Sequence, residues 1–136
     1  MKESFEHVAL TLKGGKPLVY TALSKTFFYF RMHISRYVLE QGCVPLNPFM
    51  LFEYFLLDAV ERDVIRDANN SVVLRSDQLW VFGPISNGVL AEVLIARKNK
   101  LPILYFKIDN KSIIPISQNE VELEEEIKQH KGLFFC

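Results

Sequence analysis

The stretch from Asp77 to Glu92 reads Asp-Gln-Leu-Trp-Val-Phe-Gly-Pro-Ile-Ser-Asn-Gly-Val-Leu-Ala-Glu, and it decides the class of fold. Residues 79–82 form an unbroken apolar run, which is typical of a strand buried on both faces of a parallel sheet. Gly83 and Pro84 end that strand, and apolar residues then recur at helical spacing up to Lys98. The stretch therefore predicts a strand, a tight loop and a helix.

The loop in this unit has the features of a ligand-binding loop. In open α/β sheets, ligands bind beyond the carboxyl ends of the strands, where such loops lead into helices. Ser86 or Asn87 can cap the helix, Gly88 allows a ligand close to the backbone, and the free N–H groups of the first turn favour an anion. Glu92 lies on the second turn, where a buried carboxylate needs a partner or a function. We therefore expect a ligand at this loop.

Composition limits the classes of protein to which the chain can belong. Its 136 residues include sixteen basic and sixteen acidic side chains, so it carries no net charge. It lacks the excess of positive charge typical of nucleic-acid or membrane-surface binding. Cys43 and Cys136 have no metal-type spacing, and no apolar run resembles a signal peptide or a membrane span. We expect one cytoplasmic domain with a small-molecule ligand, no nucleic-acid or membrane partner, no metal and no cofactor.

Strands and helices alternate through the rest of the chain, after an N-terminal extension at residues 1–16 that has no assigned structure. The expected strands are Pro17–Leu23, Cys43–Leu46, Leu101–Lys107 and Ile113–Ile116, and the proline of the second suits a sheet edge. The expected helices are Thr26–Gln41, one from Pro48 through Leu57, a helical face from Val60 to Val72, and one from Ser117 to about Lys131 whose Glu122, Glu124, Glu125 and Glu126 form a solvated face. Such alternation predicts a parallel sheet of four or five strands with helices on both faces.

Two residues stand out as candidates for chemistry. The sequence has no dinucleotide-binding glycine motif, no phosphate-binding P-loop, no serine nucleophile elbow and no paired cysteine–histidine metal site. What remains is the Glu92 carboxylate and the Tyr20 phenol, on two elements that a doubly wound fold brings to the same edge of the sheet. Structural roles stay open: Tyr20 as a packing aromatic, Ser86 as a plain N-cap, and Asp77 as an anchor of its loop.

Three segments of the sequence resemble the nucleoside 2-deoxyribosyltransferase superfamily. They are Tyr20 in Leu-Val-Tyr, Asp77 before the central strand, and the run Ser86–Glu92. The spacing S-x-G-x-x-x-E is similar to that of the deoxynucleoside 5′-monophosphate N-glycosidases. The resemblance implies an N-glycosidic bond as the substrate, with Glu92 as the nucleophile at the anomeric carbon, Tyr20 as the phenol that orients it, and Ser86 as a hydroxyl that helps to hold a 5′-phosphate. A carboxylate nucleophile divides one difficult displacement into two easier ones.

Two positions depart from that family. The acid expected to protonate the leaving base is replaced by Asn69, and an amide can hold a base by hydrogen bonds but cannot act as a general acid. The glycine-bearing turn after the first strand is replaced by Leu23-Ser24-Lys25, in which Ser24 and Lys25 can still meet a phosphate. The candidate substrate-binding residues are therefore Ser86, Asn87, Gly88, Asn69, Asp77, Ser24 and Lys25.

The sequence thus predicts a flavodoxin-like (Rossmann-like), three-layer α/β domain with strand order 2-1-3-4 and room for a fifth edge strand. The first hypothesis for its function is glycosidic cleavage or base exchange on a nucleoside or its 5′-monophosphate. The rival is a sensor domain of the same fold that binds a nucleotide derivative without turnover, which Asn69 favours. A weaker alternative is a structural protein whose function is assembly.

Two phenylalanine-rich segments predict self-association. The segments Phe27–Tyr37 and Phe49–Leu57 carry more apolar side chains than one face of a four- or five-stranded sheet would cover. Large exposed apolar patches are unusual on soluble monomers, and two-fold symmetry is the commonest way to bury them. We therefore expect a homodimer or a larger homo-oligomer.

Overall fold

The structure is a computed structural model, which describes residues 3–52, 56 and 59–136. Its centre is a five-stranded sheet in the order β2-β1-β3-β4-β5. The strands are β1 (Leu18–Leu23), β2 (Val44–Leu46), β3 (Gln78–Phe82), β4 (Ile103–Asp109) and β5 (Ser112–Ile116). The helices are α1 (Arg31–Glu40), α2 (Pro48–Leu51), α3 (Arg62–Arg75), α4 (Asn87–Lys98) and α5 (Lys131–Phe134).

The sheet is mixed, so the expectation of an all-parallel sheet was wrong for its last strand. Strands β1 to β4 pair in parallel, whereas β5 runs antiparallel to β4. Only Asn110 and Lys111 separate these two strands. A parallel pairing needs a crossover of a dozen or more residues, so this link can form only a hairpin. Asn110 takes the left-handed conformation, with φ of 57°, that such a tight turn requires. The predicted order of the strands, with the proline-bearing β2 at one edge, is confirmed.

Helices cover both faces of the sheet. On one face, Tyr20 and Val81 pack with Val73 of α3, Val89 of α4 and the C-terminal Phe134. The other face carries a second cluster, in which α1 packs against the strands; its buried members are Val19, Leu23, Ile34, Val38, Cys43, Trp80, Phe82 and Phe106. The central strands β1 and β3 are thus buried on both sides, as the apolar run at residues 79–82 predicts.

The helix expected at Thr26–Gln41 begins as a tighter 3₁₀ helix. Residues Lys25–Phe30 are 3₁₀ and only Arg31–Glu40 are α-helical. A 3₁₀ turn places residues three apart on one side. The rings of Phe27 and Phe30 accordingly lie 5.8 Å apart and both pack on the second cluster. The helix ends as predicted, because Gly42 adopts a positive φ of 80° immediately after it.

The single helix expected from Ser117 to about Lys131 is absent. The predicted capping box between Ser117 and Glu120 is present, but it begins only the 3₁₀ turn Gln118–Glu120. The chain then extends, because Ile85 pairs with it. The Ile85 N–H donates to the Glu122 carbonyl, and the Ile85 carbonyl accepts from the Glu124 N–H, each at 2.9 Å. A second 3₁₀ helix at Glu125–His130 and α5 follow.

Two other helices were expected between residues 48 and 72, and the first lies partly outside the described residues. The helix from Pro48 begins as predicted, with Asn47 Oδ1 accepting from the Phe49 N–H at 3.0 Å, and is described only to Leu51. Of the other residues in the predicted apolar helix, 53–55 and 57 lie outside the described residues. The helical face predicted from Val60 to Val72 corresponds to α3, which runs without a break through Asn69. Among the described residues, no helix combines the length and the apolar character that a membrane crossing requires.

Candidate active site

A hydrogen bond joins the two residues that the sequence singles out for chemistry. Tyr20 lies in the middle of β1, where it pairs with Leu46 on one side and Leu79 on the other. Its side chain points to the face that α3 and α4 cover, and it is completely buried. The phenol hydroxyl donates to the Glu92 Oε2. Because Glu92 itself is only partly exposed and turns inward, its carboxylate lies between α4 and the sheet.

Burial controls the charge of this pair. Burial raises the pKa of Glu92 from 4.5 to about 7, although the hydrogen bond from Tyr20 acts in the opposite direction. The pKa of Tyr20 is raised well above 10 by burial first, and then by the negative charge and the hydrogen bond of Glu92. At neutral pH, Tyr20 therefore keeps its proton and Glu92 is close to half ionised. Such a carboxylate can act as a nucleophile or base at physiological pH.

Asn69 occupies a position on α3 that places an amide inside the packed layer. The buried side chains of α3 recur at Ile65 and Val73, and Asn69 lies between them at intervals of four residues. Its Oδ1 is buried and has no hydrogen-bond partner among the residues that the structure describes. Buried acceptors almost always have a partner. An acceptor without one can therefore receive a hydrogen bond from a bound ligand.

Two N–H groups at the N-terminus of α4 donate to side chains of the chain itself. Ser86 is the N-cap, and its Oγ accepts from the Val89 N–H at 3.3 Å. The Asn87 N–H donates to the Glu126 Oε1 at 3.1 Å. Glu126 is exposed, as the prediction of a solvated face states, and the pairing of Ile85 with Leu123 carries its carboxylate to the start of α4. A carboxylate already occupies the position that the sequence assigns to an anionic ligand.

The other predicted loop residues lie at the same edge of the sheet. Ser24 is buried at the end of β1, and its Oγ accepts from the Thr26 hydroxyl at 3.2 Å, so it caps the turn that follows. Lys25 is exposed at that turn. Apart from its chain neighbours and the backbone of its own helix, no atom of the described residues lies within 4 Å of the position that a Cβ on Gly88 would take, so this space is open. Gly83 is more constrained, because a Cβ there would approach the Phe27 ring to 3.0 Å.

Asp77 is not brought to this edge. Its Oδ2 accepts from the Leu18 N–H at 2.7 Å, and its own N–H donates to the Leu18 carbonyl at 2.8 Å. Both contacts lie where β1 and β3 begin, at the amino edge of the sheet, whereas the loops after these strands lie at the carboxyl edge. Asp77 therefore ties β1 to the start of β3, which is the anchoring role that the sequence left open.

A cleft of about 390 Å³ opens at the carboxyl ends of β3 and β4. Phe27, Gly83 and Pro84 form one side of it, and Lys107 and Asp109 lie on another. Neither Tyr20 nor Glu92 lines this cleft. Within residues 3–52, 56 and 59–136, no three His, Cys, Asp or Glu side chains are grouped as metal ligands would be. The sequence did not indicate Phe27 or Asp109, because their proximity depends on how the strands are paired.

Comparison with known proteins identifies the family but not an activity. A family model described as a domain of unknown function (DUF7768) matches residues 24–106, which is more than half of the chain. The matched range includes the loop after β1, Asn69 and Glu92. No curated protein matches the chain.

Proposed function

The chain belongs to the DUF7768 family, whose description specifies no activity, and we propose that it cleaves or exchanges the N-glycosidic bond of a nucleoside. The observation that supports this proposal is the buried hydrogen bond between Tyr20 and Glu92. A carboxylate that burial holds near neutrality, with a phenol to orient it, has the character of an enzymatic nucleophile. The finer assignment to a flavodoxin-like fold of the nucleoside 2-deoxyribosyltransferase type belongs to the same proposal, since the strand order agrees with it.

In the proposed reaction, Glu92 attacks the anomeric carbon of the sugar. Its Oε2 already accepts a hydrogen bond from Tyr20, so Oε1 is the oxygen that forms the C1′–O bond. The C1′–N bond breaks and its electron pair leaves with the base. Water or a second base then attacks C1′ and releases the Glu92 carboxylate. Tyr20 keeps its proton through both steps and acts as a positioning residue.

Glu126 favours a nucleoside over its 5′-monophosphate as the substrate. Its carboxylate accepts the Asn87 N–H at the start of α4, which is the kind of site that otherwise attracts a phosphate. A phosphate placed there would meet a like charge. The hydroxyl of Ser86 is likewise engaged as the N-cap. Binding of a monophosphate therefore requires Glu126 to move away.

Base release from a panel of nucleosides tests the proposal. The protein is incubated with purine and pyrimidine nucleosides, in ribose and deoxyribose forms and with or without a 5′-phosphate, and free base is measured by chromatography. Release above the enzyme-free rate is the expected result. Binding of a panel member by calorimetry without release would select the rival function, a sensor of nucleotide derivatives. The absence of an acid at Asn69 is the observation that favours that rival.

Replacement of Tyr20 by phenylalanine is expected to shift the pH dependence of base release to higher pH. The hydrogen bond from Tyr20 lowers the pKa of Glu92, so its loss moves the pKa upward and leaves less ionised nucleophile at pH 7. A hydrogen bond to a charged group contributes about 1.5–3 kcal/mol, so the rate at pH 7 should fall by roughly tenfold or more. Rate profiles from pH 5 to 9 measure the shift, with Tyr29→Phe on the surface as the control. A uniform loss of rate without a shift would assign Tyr20 a structural role only.

We further propose that the chain forms a homodimer or a larger homo-oligomer. Apolar side chains on the two phenylalanine-rich segments remain in contact with water: Tyr29 is 85% exposed, Met32 62%, and Met50, Leu51 and Leu56 more than 40% each. A stable interface buries about 800 Å² on each partner. At roughly 25 cal/mol per Å², burial of that apolar area would stabilise association by about 20 kcal/mol before the association cost.

Light scattering coupled to gel filtration is expected to give at least twice the chain mass of 15.8 kDa. Met32→Lys should lower the measured mass towards that of one chain, because it places a charge in the apolar surface. Leu74→Lys is the matched control, since Leu74 is 51% exposed on α3, away from these segments. A mass of 15.8 kDa for the unmodified protein at micromolar concentration would refute the oligomer.

A further inference from the structure

Building on the proposed function, we infer that the preferred substrate is a nucleoside whose base carries a positive charge, as in N7-alkylated purine nucleosides and pyridinium nucleosides. Two observations support this inference. Among the described residues, no other acidic side chain hydrogen-bonds to Tyr20 or Glu92. The amide oxygen of Asn69 on α3 is buried and has no partner among those residues.

A neutral base needs a proton as it leaves the sugar. A neutral purine or pyrimidine leaves as a strongly basic anion unless a side chain protonates it, and such help is worth roughly 10²–10⁴-fold in rate. The Tyr20 proton is already donated to Glu92. Glu92 cannot attack C1′ as a carboxylate and protonate the base at the same time. In the part of the chain that the structure describes, Tyr20 is the only side chain that hydrogen-bonds to Glu92.

Asn69 offers a buried acceptor on α3, one turn before Val73. Val73 belongs to the core cluster that also contains Tyr20 and the α4 residues Leu90 and Val93 on either side of Glu92. An amide oxygen cannot donate a proton, but its partial negative charge stabilises a nearby positive charge or accepts an N–H from the base. An orphaned acceptor of this kind destabilises the free protein, and a cationic or N–H-bearing ligand would remove that cost.

A cationic base makes the reaction balance without an acid. Glu92 forms a bond to C1′, the C1′–N bond breaks, and its electron pair neutralises the positive ring, which departs as an uncharged base. Water then attacks C1′, the carboxylate leaves, and the proton of that water passes to solvent. The net change is one cationic nucleoside and one water giving free sugar, neutral base and one proton. No group in the site has to protonate the leaving base.

Two matched substrates test this inference. 7-Methylguanosine and guanosine differ by one methyl group and one positive charge, and nicotinamide riboside supplies a second cationic base. After subtraction of the enzyme-free rates, the expected result is release of 7-methylguanine at least about 100-fold faster than release of guanine. Equal rates, or faster release of guanine, would overturn the inference and leave the proposed function standing. Release of neither base, with nicotinamide riboside also intact, would overturn the proposed function and the inference with it.

Variants at Asn69 distinguish an effect on protonation of the leaving base from an effect on binding of that base. Asn69→Asp supplies a carboxyl group, so it should raise the rate on guanosine by about 100-fold and reduce the preference for 7-methylguanosine. Asn70→Asp is the control, because it adds the same group about 100° further around α3. If Asn69→Asp does not fold, Asn69→Ala gives the answer: it should keep the preference and raise the KM for 7-methylguanosine by about tenfold. A selective loss of rate on guanosine in Asn69→Ala would show that Asn69 already assists a neutral base, and would overturn the inference.

Discussion

Replacement of Glu92 by glutamine is expected to lower the rate of base release by roughly 10³-fold or more, because the variant has no nucleophile. Glutamine keeps the length of the side chain and can still accept the Tyr20 hydroxyl, so the fold and the binding of nucleosides should persist. The rate is measured by chromatography of the released base, at saturating nucleoside and at pH 8, where the carboxylate of the unmodified protein is ionised.

The control for this variant is Glu6→Gln, which removes a carboxylate from the exposed N-terminal segment. It should release base at the unmodified rate. Turnover by Glu92→Gln at more than about a tenth of the normal rate would exclude a covalent mechanism through this residue. Retained binding of nucleosides by that variant, measured by calorimetry, would show that the loss of rate is a loss of chemistry and not of fold.

The second large effect is a dependence of stability on pH that comes from Glu92. Its pKa is about 7 in the folded chain and near 4.5 when it is exposed to solvent. Below pH 4.5 the carboxyl is protonated in both states, and its contribution to stability is fully present. Between pH 4.5 and 7 only the unfolded chain ionises, so the free energy of unfolding falls as the pH rises. The difference of roughly 2.5 pKa units corresponds to about 3 kcal/mol, and no further change is expected above pH 7.

Glu92→Gln should remove this dependence. Relative to the unmodified protein, the variant should gain up to about 3 kcal/mol between pH 4.5 and pH 8, reduced by the cost of an amide N–H₂ with incomplete hydrogen bonding. Urea denaturation at half-unit intervals from pH 4.5 to 8 measures the difference. This range avoids the titration of Tyr20, whose pKa lies well above 10. Parallel curves for the two proteins would show that Glu92 is ionised at ordinary pH and is not suited to its proposed role.

Glu92 is thus expected to lower the free energy of unfolding at neutral pH while it supplies the nucleophile. A buried carboxylate with a single hydrogen-bond donor destabilises the fold at neutral pH. An apolar or amide side chain at position 92 would give a more stable chain. Sites that lower stability in this way are characteristic of function, because binding and catalysis require groups that folding alone would not place there.

Local sequence patterns were sufficient to predict the central strand, loop and helix and the points where they begin and end. The apolar run at 79–82, the turn at Gly83 and the helical spacing after it all depend on neighbours within a few residues, and the structure contains that strand, loop and helix. The caps at Asn47 and Ser86 and the positive φ of Gly42 are likewise local. The prediction that Tyr20 and Glu92 lie at the same edge of the sheet followed from the rule that parallel strands present their carboxyl ends together, and the structure joins the two by a hydrogen bond.

Tertiary structure alone decided the features that join distant segments. The two-residue link after β4 makes β5 run antiparallel to β4. The pairing of Ile85 with Leu123 brings Glu126 to the start of α4. The burial of the Asn69 oxygen and the contact of Asp77 with Leu18 also depend on which elements become neighbours. The physical reason is the separation along the chain between the residues that interact. Helical periodicity, caps and turns are determined by interactions between residues close in the chain, whereas the partner of a buried polar atom is determined by packing between residues that can lie anywhere in it.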